Sequence, residues 1–462
     1  MMSRTLLEEF ASFAAGIRYA DLPEAVTRSI RERVMDTAGL CLASSRLETS
    51  AMARRVALAW GGPPEAGVYG FGDRLPAAGA AFVNGTLAHS LDFDDTHLPS
   101  VLHPSASIVP AALAVGEAVG ASTHAVIEAA AAGYEVCIRT GMAAYDRLLG
   151  NSVFFERGWH ATSICGTLAC AVVAARLFGL DAAGIGHALG IAASMGSGII
   201  EANRSGGSVK RLHCGWAAHG GIVAAQCARA GLTGPPTALE GRFGFYQAYC
   251  GGKFEAREIT EGLGSRWSIP DIFYKPYPAN HFTHAGIDCA LRLRQRVAPG
   301  EIEWVRLGVA APTLRTIAEP REAKIRPQSG YHAQFSGPFT VAAAWIGGGG
   351  LGLALEDFAD EKVRDPRYLE LAAKVECYAE PECDAIFPNQ FPAVLRVRTR
   401  DGRILEEKVL ANRGGPGNPL SVEELTIKFL GNAARALSEN EARRLAERIL
   451  DPAPVPVARW LA

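Results

Sequence analysis

Fifteen residues carry most of the reactive chemistry near the start of this chain. In the run Asn84-Gly85-Thr86-Leu87-Ala88-His89-Ser90-Leu91-Asp92-Phe93-Asp94-Asp95-Thr96-His97, followed by His103-Pro104-Ser105, three carboxylates and three histidines fall within fifteen positions. The flanking sequence is rich in Ala, Val and Gly. Burying such groups costs several kcal/mol unless they are paired, so a dense acid/imidazole cluster beside apolar helices points to chemistry. Three readings fit the spacing. Asp92, Asp94 and Asp95 can cap a helix end. Asp and His together can hold a divalent ion, although the spacing matches no His-Glu-x-x-His helix. His103 can give or take a proton, with a carboxylate tuning it.

Three later segments add compatible groups. Gly158-Trp159-His160-Ala161-Thr162-Ser163 places His160 at a helix start, near backbone N–H groups that attract anions. Ser205-Gly206-Gly207-Ser208-Val209-Lys210-Arg211-Leu212-His213 sets two cations and an imidazole after small residues, a pattern suited to a carboxylate. Tyr274-Lys275-Pro276-Tyr277-Pro278-Ala279-Asn280-His281-Phe282-Thr283-His284 is a loop stiffened by two prolines, from which Lys275, His281 and His284 can reach a cleft. Each histidine alone is as easily a core or loop residue. No Gly-x-Ser-x-Gly elbow is present, and no spacing singles out a Ser or Cys nucleophile. Cations that hold carboxylates, together with acid/base groups, suggest proton abstraction next to a carboxylate without a redox cofactor.

The elements that must position these groups are mostly helices. Leu6, Phe10, Phe13 and Ile17 keep a 3.6-residue period, and Val26, Ile30 and Val34 continue one apolar face after Pro23. Further helices are expected at 107–119, 123–144, 163–178 and 181–196, several of them apolar nearly all round, as in a buried bundle or a subunit interface. The pattern changes near Arg266. Residues 304–309 alternate like a strand, and 393–399 with 404–405 read as a hairpin around Asp401-Gly402. Helical stretches are expected between them at 339–346 and 366–373, and the helical pattern returns from Ser421. The expectation is therefore a mainly α protein: a large all-α domain over 1–266, a smaller α+β lid domain over 267–411, and C-terminal helices over 412–462 that return to the first domain.

Composition narrows the classes. The chain has 462 residues, net charge −2, 48% hydrophobic and 20% charged residues, which fits a globular protein and shows no basic patch for nucleic acid. No segment offers about 18 clean apolar residues for a membrane span, and the N-terminus lacks the apolar core of a signal peptide. Ten cysteines without a Cys-x-x-Cys pair read as reduced thiols in a cytoplasmic protein.

The same segments resemble the MmgE/PrpD family. The 84–105 run, Gly158-Trp159-His160, Lys210-Arg211-Leu212-His213-Cys214-Gly215-Trp216-Ala217-Ala218, Lys275-Pro276-Tyr277-Pro278 with Thr283-His284, Ala333-Gln334-Phe335-Ser336, and Asn418-Pro419-Leu420-Ser421 with Lys428-Phe429 follow its blocks in order. The resemblance implies an all-α domain built from both chain ends, an α+β lid, a homodimer, and action on a small polycarboxylic acid with no metal or organic cofactor. Members include 2-methylcitrate dehydratase, cis-aconitate decarboxylase and iminodisuccinate epimerase. It places Asp92, Thr96, His103, His160 and Lys210 in the active site. Asn280 stands where the decarboxylase has a histidine, the Thr96-to-His103 gap resembles that of the epimerase, and Ala106 stands where the dehydratase has an aspartate.

The expected activity is a cofactor-independent lyase or isomerase working by α-proton abstraction on a di- or tricarboxylate. Dehydration comes first, epimerisation of a substituted succinate next, and decarboxylation after that. His103, His160, Asp92 and Lys210 are the expected catalytic groups. Thr96, Arg211, His213, Lys275, Asn280, His281 and His284 are the expected substrate-binding groups. A non-catalytic carboxylate-binding protein and a metal-dependent hydrolase are the rivals from other classes.

Overall fold

The computed structural model describes residues 4–202 and 206–460. The chain divides into two compact units: one runs to Ile272 and resumes at Asn432, and the other is Phe273–Gly431. The protein is mainly α. Among the described residues no helix is long and apolar enough to cross a membrane.

The first unit is a bundle whose inner helices are apolar on every side. Ala77–His89, Ser105–Ala118, Thr123–Ala143 and Ala161–Leu177 bury most of their length, and His213–Arg229 buries one face against them. Small residues make this possible. A Cβ added at Gly85 would lie 2.7 Å from the Gly215 Cα, so the Ala77–His89 and His213–Arg229 helices cross with their backbones in contact. Gly221 lies against Thr167, Cys170 and Ala171, and Gly133 against Ala169 and Val173, in the same way. Only glycine, which has no Cβ, allows so close an approach. The first helix, Leu6–Gly16, is a capping box on Thr5 and Glu8. Its core face is Leu7, Phe10, Ala11 and Ala14, turned slightly from the expected Leu6–Phe10–Phe13 line; Leu6 and Phe13 are half-buried.

Two features depart from the all-helical expectation for this unit. Short two-stranded ribbons pair Ala66–Gly67 with Arg74–Leu75 and Tyr145–Asp146 with Asn151–Ser152. The helix expected over 181–196 ends at Ala192. Beyond it Gly196 packs on Ile164, Gly198 takes φ +122°, and Ile199 bridges back to Trp159, a return that a helical continuation would forbid. All ten cysteines are unpaired, and Cys137, Cys165, Cys170 and Cys214 are buried in the helices.

The second unit holds a four-stranded mixed sheet in the order Val375–Ala379, Ile302–Val309, Ala393–Thr399, Ile404–Val409. The first pair is parallel, with Val305 opposite Val375; the others are antiparallel, with Val305 opposite Val397 and Val397 opposite Leu405. The hairpin turns at Asp401-Gly402, as its sequence predicts, with Gly402 at φ +89°. Strand Val375–Ala379 was not foreseen: only Val375 is fully buried in it, so it carries little apolar alternation. Leu307, Leu395, Val397 and Leu405 share a core with helices His284–Leu293 and Gly337–Ile346, while Val394 faces the other way onto Ala310 and Cys383.

Candidate active site

Four imidazoles stand in a row in the first unit, each at or beside a helix end. His89 closes the Ala77–His89 helix. His103 lies two residues before Ser105–Ala118, His160 is the N-cap of Ala161–Leu177, and His213 opens His213–Arg229. The Gly85–Gly215 contact sets the spacing of the two helices that carry His89 and His213. Ring centroids are 5.4 Å apart from His103 to His89, 5.4 Å from His89 to His160 and 5.0 Å from His160 to His213.

Each ring is held by a defined partner. His103 Nδ1 lies 2.7 Å from the Asp95 carbonyl, 3.3 Å from Thr96 Oγ1 and 3.9 Å from Asp94 Oδ2. A carbonyl only accepts, so Nδ1 carries the hydrogen and the neutral ring keeps its lone pair on Nε2. His103 is also the most accessible ring of the row, with 13% of its side chain exposed, and its backbone N–H donates to Thr162 Oγ1. His89 Nδ1 lies 2.7 Å from Asp94 Oδ2, while its Nε2 is buried without a hydrogen-bond partner. His160 and His213 meet through their Nδ1 atoms at 3.0 Å, so one donates and the other accepts. Burial pushes His160 well below the ordinary imidazole value, helped by the nearby charges of His89 and Lys210. The same causes bring His213 down to about 4.

Lys210 stands on the short 3₁₀ turn Val209–Leu212, with Nζ 3.4 Å from Asp92 Oδ1. Asp92 has φ +52°, a left-handed conformation uncommon for a residue with a side chain. The loop it begins is closed by an antiparallel bridge between His97 and Leu102, with Val101 also left-handed at φ +55°. That closure brings Thr96 back onto His103.

The three aspartates therefore do three different things. Asp92 meets Lys210, Asp94 meets His89, and Asp95 binds Arg33 at 2.7 Å with both side chains 1% exposed. Asp95 also accepts from the Ser105 N–H and hydroxyl, and Arg33 donates to the Ile269 and Ile272 carbonyls. Burial pushes the Asp95 carboxyl up, opposed by Arg33 and Ser105. His97 turns away to Ser100 Oγ at 2.6 Å. With an ammonium on one carboxylate and a guanidinium on another, this donor set does not suit a cation. Among the described residues no group of three His, Cys, Asp or Glu side chains is arranged to hold a metal ion.

The residues expected to act together from sequence are thus partly assembled. Asp92, Thr96, His103, His160, Lys210 and His213 all bear on the row or its neighbours. The carboxylate on a ring nitrogen of the row is Asp94, on His89 Nδ1. Arg211 reaches Thr49 Oγ1 at 3.3 Å. Ser205 lies outside the described residues. His89, counted in the cluster but given no role of its own, is the further member of the row; its signal is a histidine five residues before an aspartate. In the second unit Lys275 is buried, and Asn280 caps a short turn by accepting from the Phe282 N–H. His281 and His284 face each other at 4.7 Å, with His284 Nε2 on the Ala279 carbonyl.

Known proteins resemble this chain along nearly its whole length. The chain is 28% identical to human cis-aconitate decarboxylase over 451 residues, covering 95% of this chain and 90% of that protein. It is 27% identical to the mouse enzyme of the same name, covering 96% and 90% of the two chains. It is 24% identical to cis-aconitate decarboxylase of Aspergillus terreus, covering 96% and 92%. Residues 8–257 match the MmgE/PrpD N-terminal domain and residues 277–451 match the MmgE/PrpD C-terminal domain. The chain belongs to the MmgE/PrpD family.

Proposed function

We propose that this protein is a lyase that moves a proton at the carbon next to a carboxylate of a small di- or tricarboxylic acid. The observation that carries the reading is His103: its Nδ1 is committed to the Asp95 carbonyl, so Nε2 is the basic nitrogen of the most accessible ring in the row. Three helix N-termini, at Ser105, Ala161 and His213, bring partial positive charge to the same region. With Lys210 they hold the substrate carboxylate and take up the negative charge that develops when the α-proton leaves. Asp92 keeps the Lys210 ammonium in place. Thr96 orients His103 and holds substrate. Loss of hydroxide from the adjacent carbon completes a dehydration, which is the first reading.

Decarboxylation is the second reading, favoured by the cis-aconitate decarboxylases among the relatives. There the Lys210 region stabilises charge as CO₂ leaves, and an imidazole returns a proton to carbon. The test is incubation with citrate-like, aconitate-like and substituted succinate acids in deuterated water, followed by NMR. Deuterium at the α-carbon with new alkene signals supports dehydration; release of CO₂ supports decarboxylation. No exchange and no product with any of the acids would overturn the proposal.

A further inference from the structure

The Asp95 backbone carbonyl decides which nitrogen of His103 carries the hydrogen, so whatever holds Asp95 bears on the proton transfer. The Asp95 carboxylate is anchored, directly or through Ser105, by three helices. Arg33, on Glu24–Ser44, meets it at 2.7 Å and is itself pinned by the Ile269 and Ile272 carbonyls. Ser105 opens Ser105–Ala118; its N–H donates to Asp95 Oδ1 at 3.2 Å and its hydroxyl donates to Oδ2. Tyr134, on Thr123–Ala143, has its hydroxyl 2.5 Å from Ser105 Oγ. A carboxylate only accepts, and Ser105 has a single hydroxyl hydrogen, so Tyr134 donates to Ser105 and Ser105 to Asp95. Arg33, Ser105 and Tyr134 are all buried. A buried network of this kind fixes one geometry.

We infer that Ser105 and Tyr134 are positioning residues for the proton transfer: with Arg33 they lock Asp95, and the Asp95 carbonyl then selects the His103 tautomer whose Nε2 is bare. The inference rests on the proposed role of His103 as base. Neither residue touches substrate in this account. The other tautomer has a donor at hand, because Thr96 Oγ1 lies 3.3 Å from the same Nδ1 and a hydroxyl donates as well as accepts. Asp94 Oδ2, at 3.9 Å, is beyond hydrogen-bond reach of that nitrogen. With the carbonyl in place, Nδ1 must carry the hydrogen. With the carbonyl displaced, Thr96 donates to a bare Nδ1, the hydrogen sits on Nε2, and the ring presents an N–H where the reaction needs a lone pair. The loop that carries Asp95 needs its anchors: Asp92 and Val101 are both left-handed, and a single bridge between His97 and Leu102 closes it.

The experiment is ¹⁵N NMR of the full-length protein with ring-labelled histidine, without substrate, at about pH 8, above the ordinary imidazole value. His103→Gln identifies the His103 signals. In the wild type His103 is expected to show a protonated Nδ1 and a bare Nε2; a protonated Nε2 overturns the inference, whether or not a substrate has been found. Ser105→Ala and Tyr134→Phe are expected to move part of the population to the Nε2–H form, Ser105→Ala further. Tyr134→Phe keeps the ring and its packing, so it carries the test where Ser105→Ala does not fold. Tyr246→Phe is the control: it removes a buried hydroxyl bonded to the Thr140 carbonyl of the same helix and should leave the His103 signals unchanged. Wild-type His103 signals in the folded variants overturn the inference, and so does an equal shift in the control. On a confirmed substrate, kcat should fall about 10-fold in Tyr134→Phe and about 10²-fold in Ser105→Ala, with KM within about two-fold of wild type because Lys210 is untouched. A tautomer that shifts while kcat holds refutes His103 as the base. Turnover that requires His103 while its tautomer never moves refutes this inference and leaves the proposed function standing.

Discussion

Both units contain clustered histidines, and the two clusters are built on opposite principles. In the first unit His103, His89, His160 and His213 lie at helix ends, with a carboxylate on one flank and an ammonium near the other. In the second unit His281 and His284 lie among the rings of Phe273, Tyr277 and Phe391, and His284 bonds the Ala279 carbonyl with its own helix starting at that residue. The first arrangement grades charge along a line of rings. The second sets its imidazoles edge-on to aromatic rings, with one of them bonded to a backbone carbonyl. Residue type is the same in both, so the type alone says little; the flanking charges and helix ends distinguish them.

The contrast breaks most directly by exchanging losses. His103→Ala is expected to slow α-proton exchange on a confirmed substrate by about 10²–10⁴-fold while leaving the melting temperature nearly unchanged, since one proton-transfer group contributes on that scale. His284→Ala is expected to do the reverse: exchange within a few-fold of wild type, and a stability loss of about 1–3 kcal/mol from the vacated, desolvated site. Near-normal exchange in His103→Ala would remove the distinction. Next comes Arg33→Ala, which strands the buried Asp95 carboxylate; a loss of about 3–5 kcal/mol in urea unfolding is expected, larger than for any exposed ion pair of the second unit. Gly215→Ala pushes a methyl into the crossing with Gly85 and should cost about 1–3 kcal/mol, as overpacking does. It should also lower kcat, because His213 and Lys210 hang on that helix end.

Protonation sharpens the comparison further. His97 and His213 are both brought down to about 4 by burial. Unfolded histidines take up protons near pH 6.5, so between roughly pH 6.5 and 4 the unfolded chain binds more protons than the folded one. Stability is therefore full above that window and falls as pH drops through it, and His97→Gln should flatten the fall in thermal melts at stepped pH. The smallest effect is expected for Asn280→Ala, which removes a cap on a short turn and costs about 1 kcal/mol. A much larger loss of affinity for substrate would show that Asn280 does more than cap.

The Asp92–His103 cluster was legible because carboxylates and imidazoles stand out against an apolar background. Which aspartate serves which partner was not legible. Arg33, which claims Asp95, is 62 positions upstream, and the His97–Leu102 bridge that folds the loop has no local pattern to announce it. His89 was counted in the cluster without a role, because its neighbours His103 and His160 come to it only when other helix ends arrive beside it. The hairpin at Asp401-Gly402 was readable from two strands and a turn, whereas Val375–Ala379 shows a single fully buried residue. Helix positions were readable from period and caps, but the backbone contact of Gly85 with Gly215 is a pairing of distant residues, invisible to any local rule.

With the role proposed for Asp92, its left-handed backbone sets stability against activity at one residue. Glycine accepts that conformation without strain, so Asp92→Gly relaxes the loop; it also removes the carboxylate that steadies Lys210. A selection for heat resistance alone would drift toward such a change, and a selection for turnover would reverse it. The residue would then serve as a readout of which pressure a population of variants has experienced.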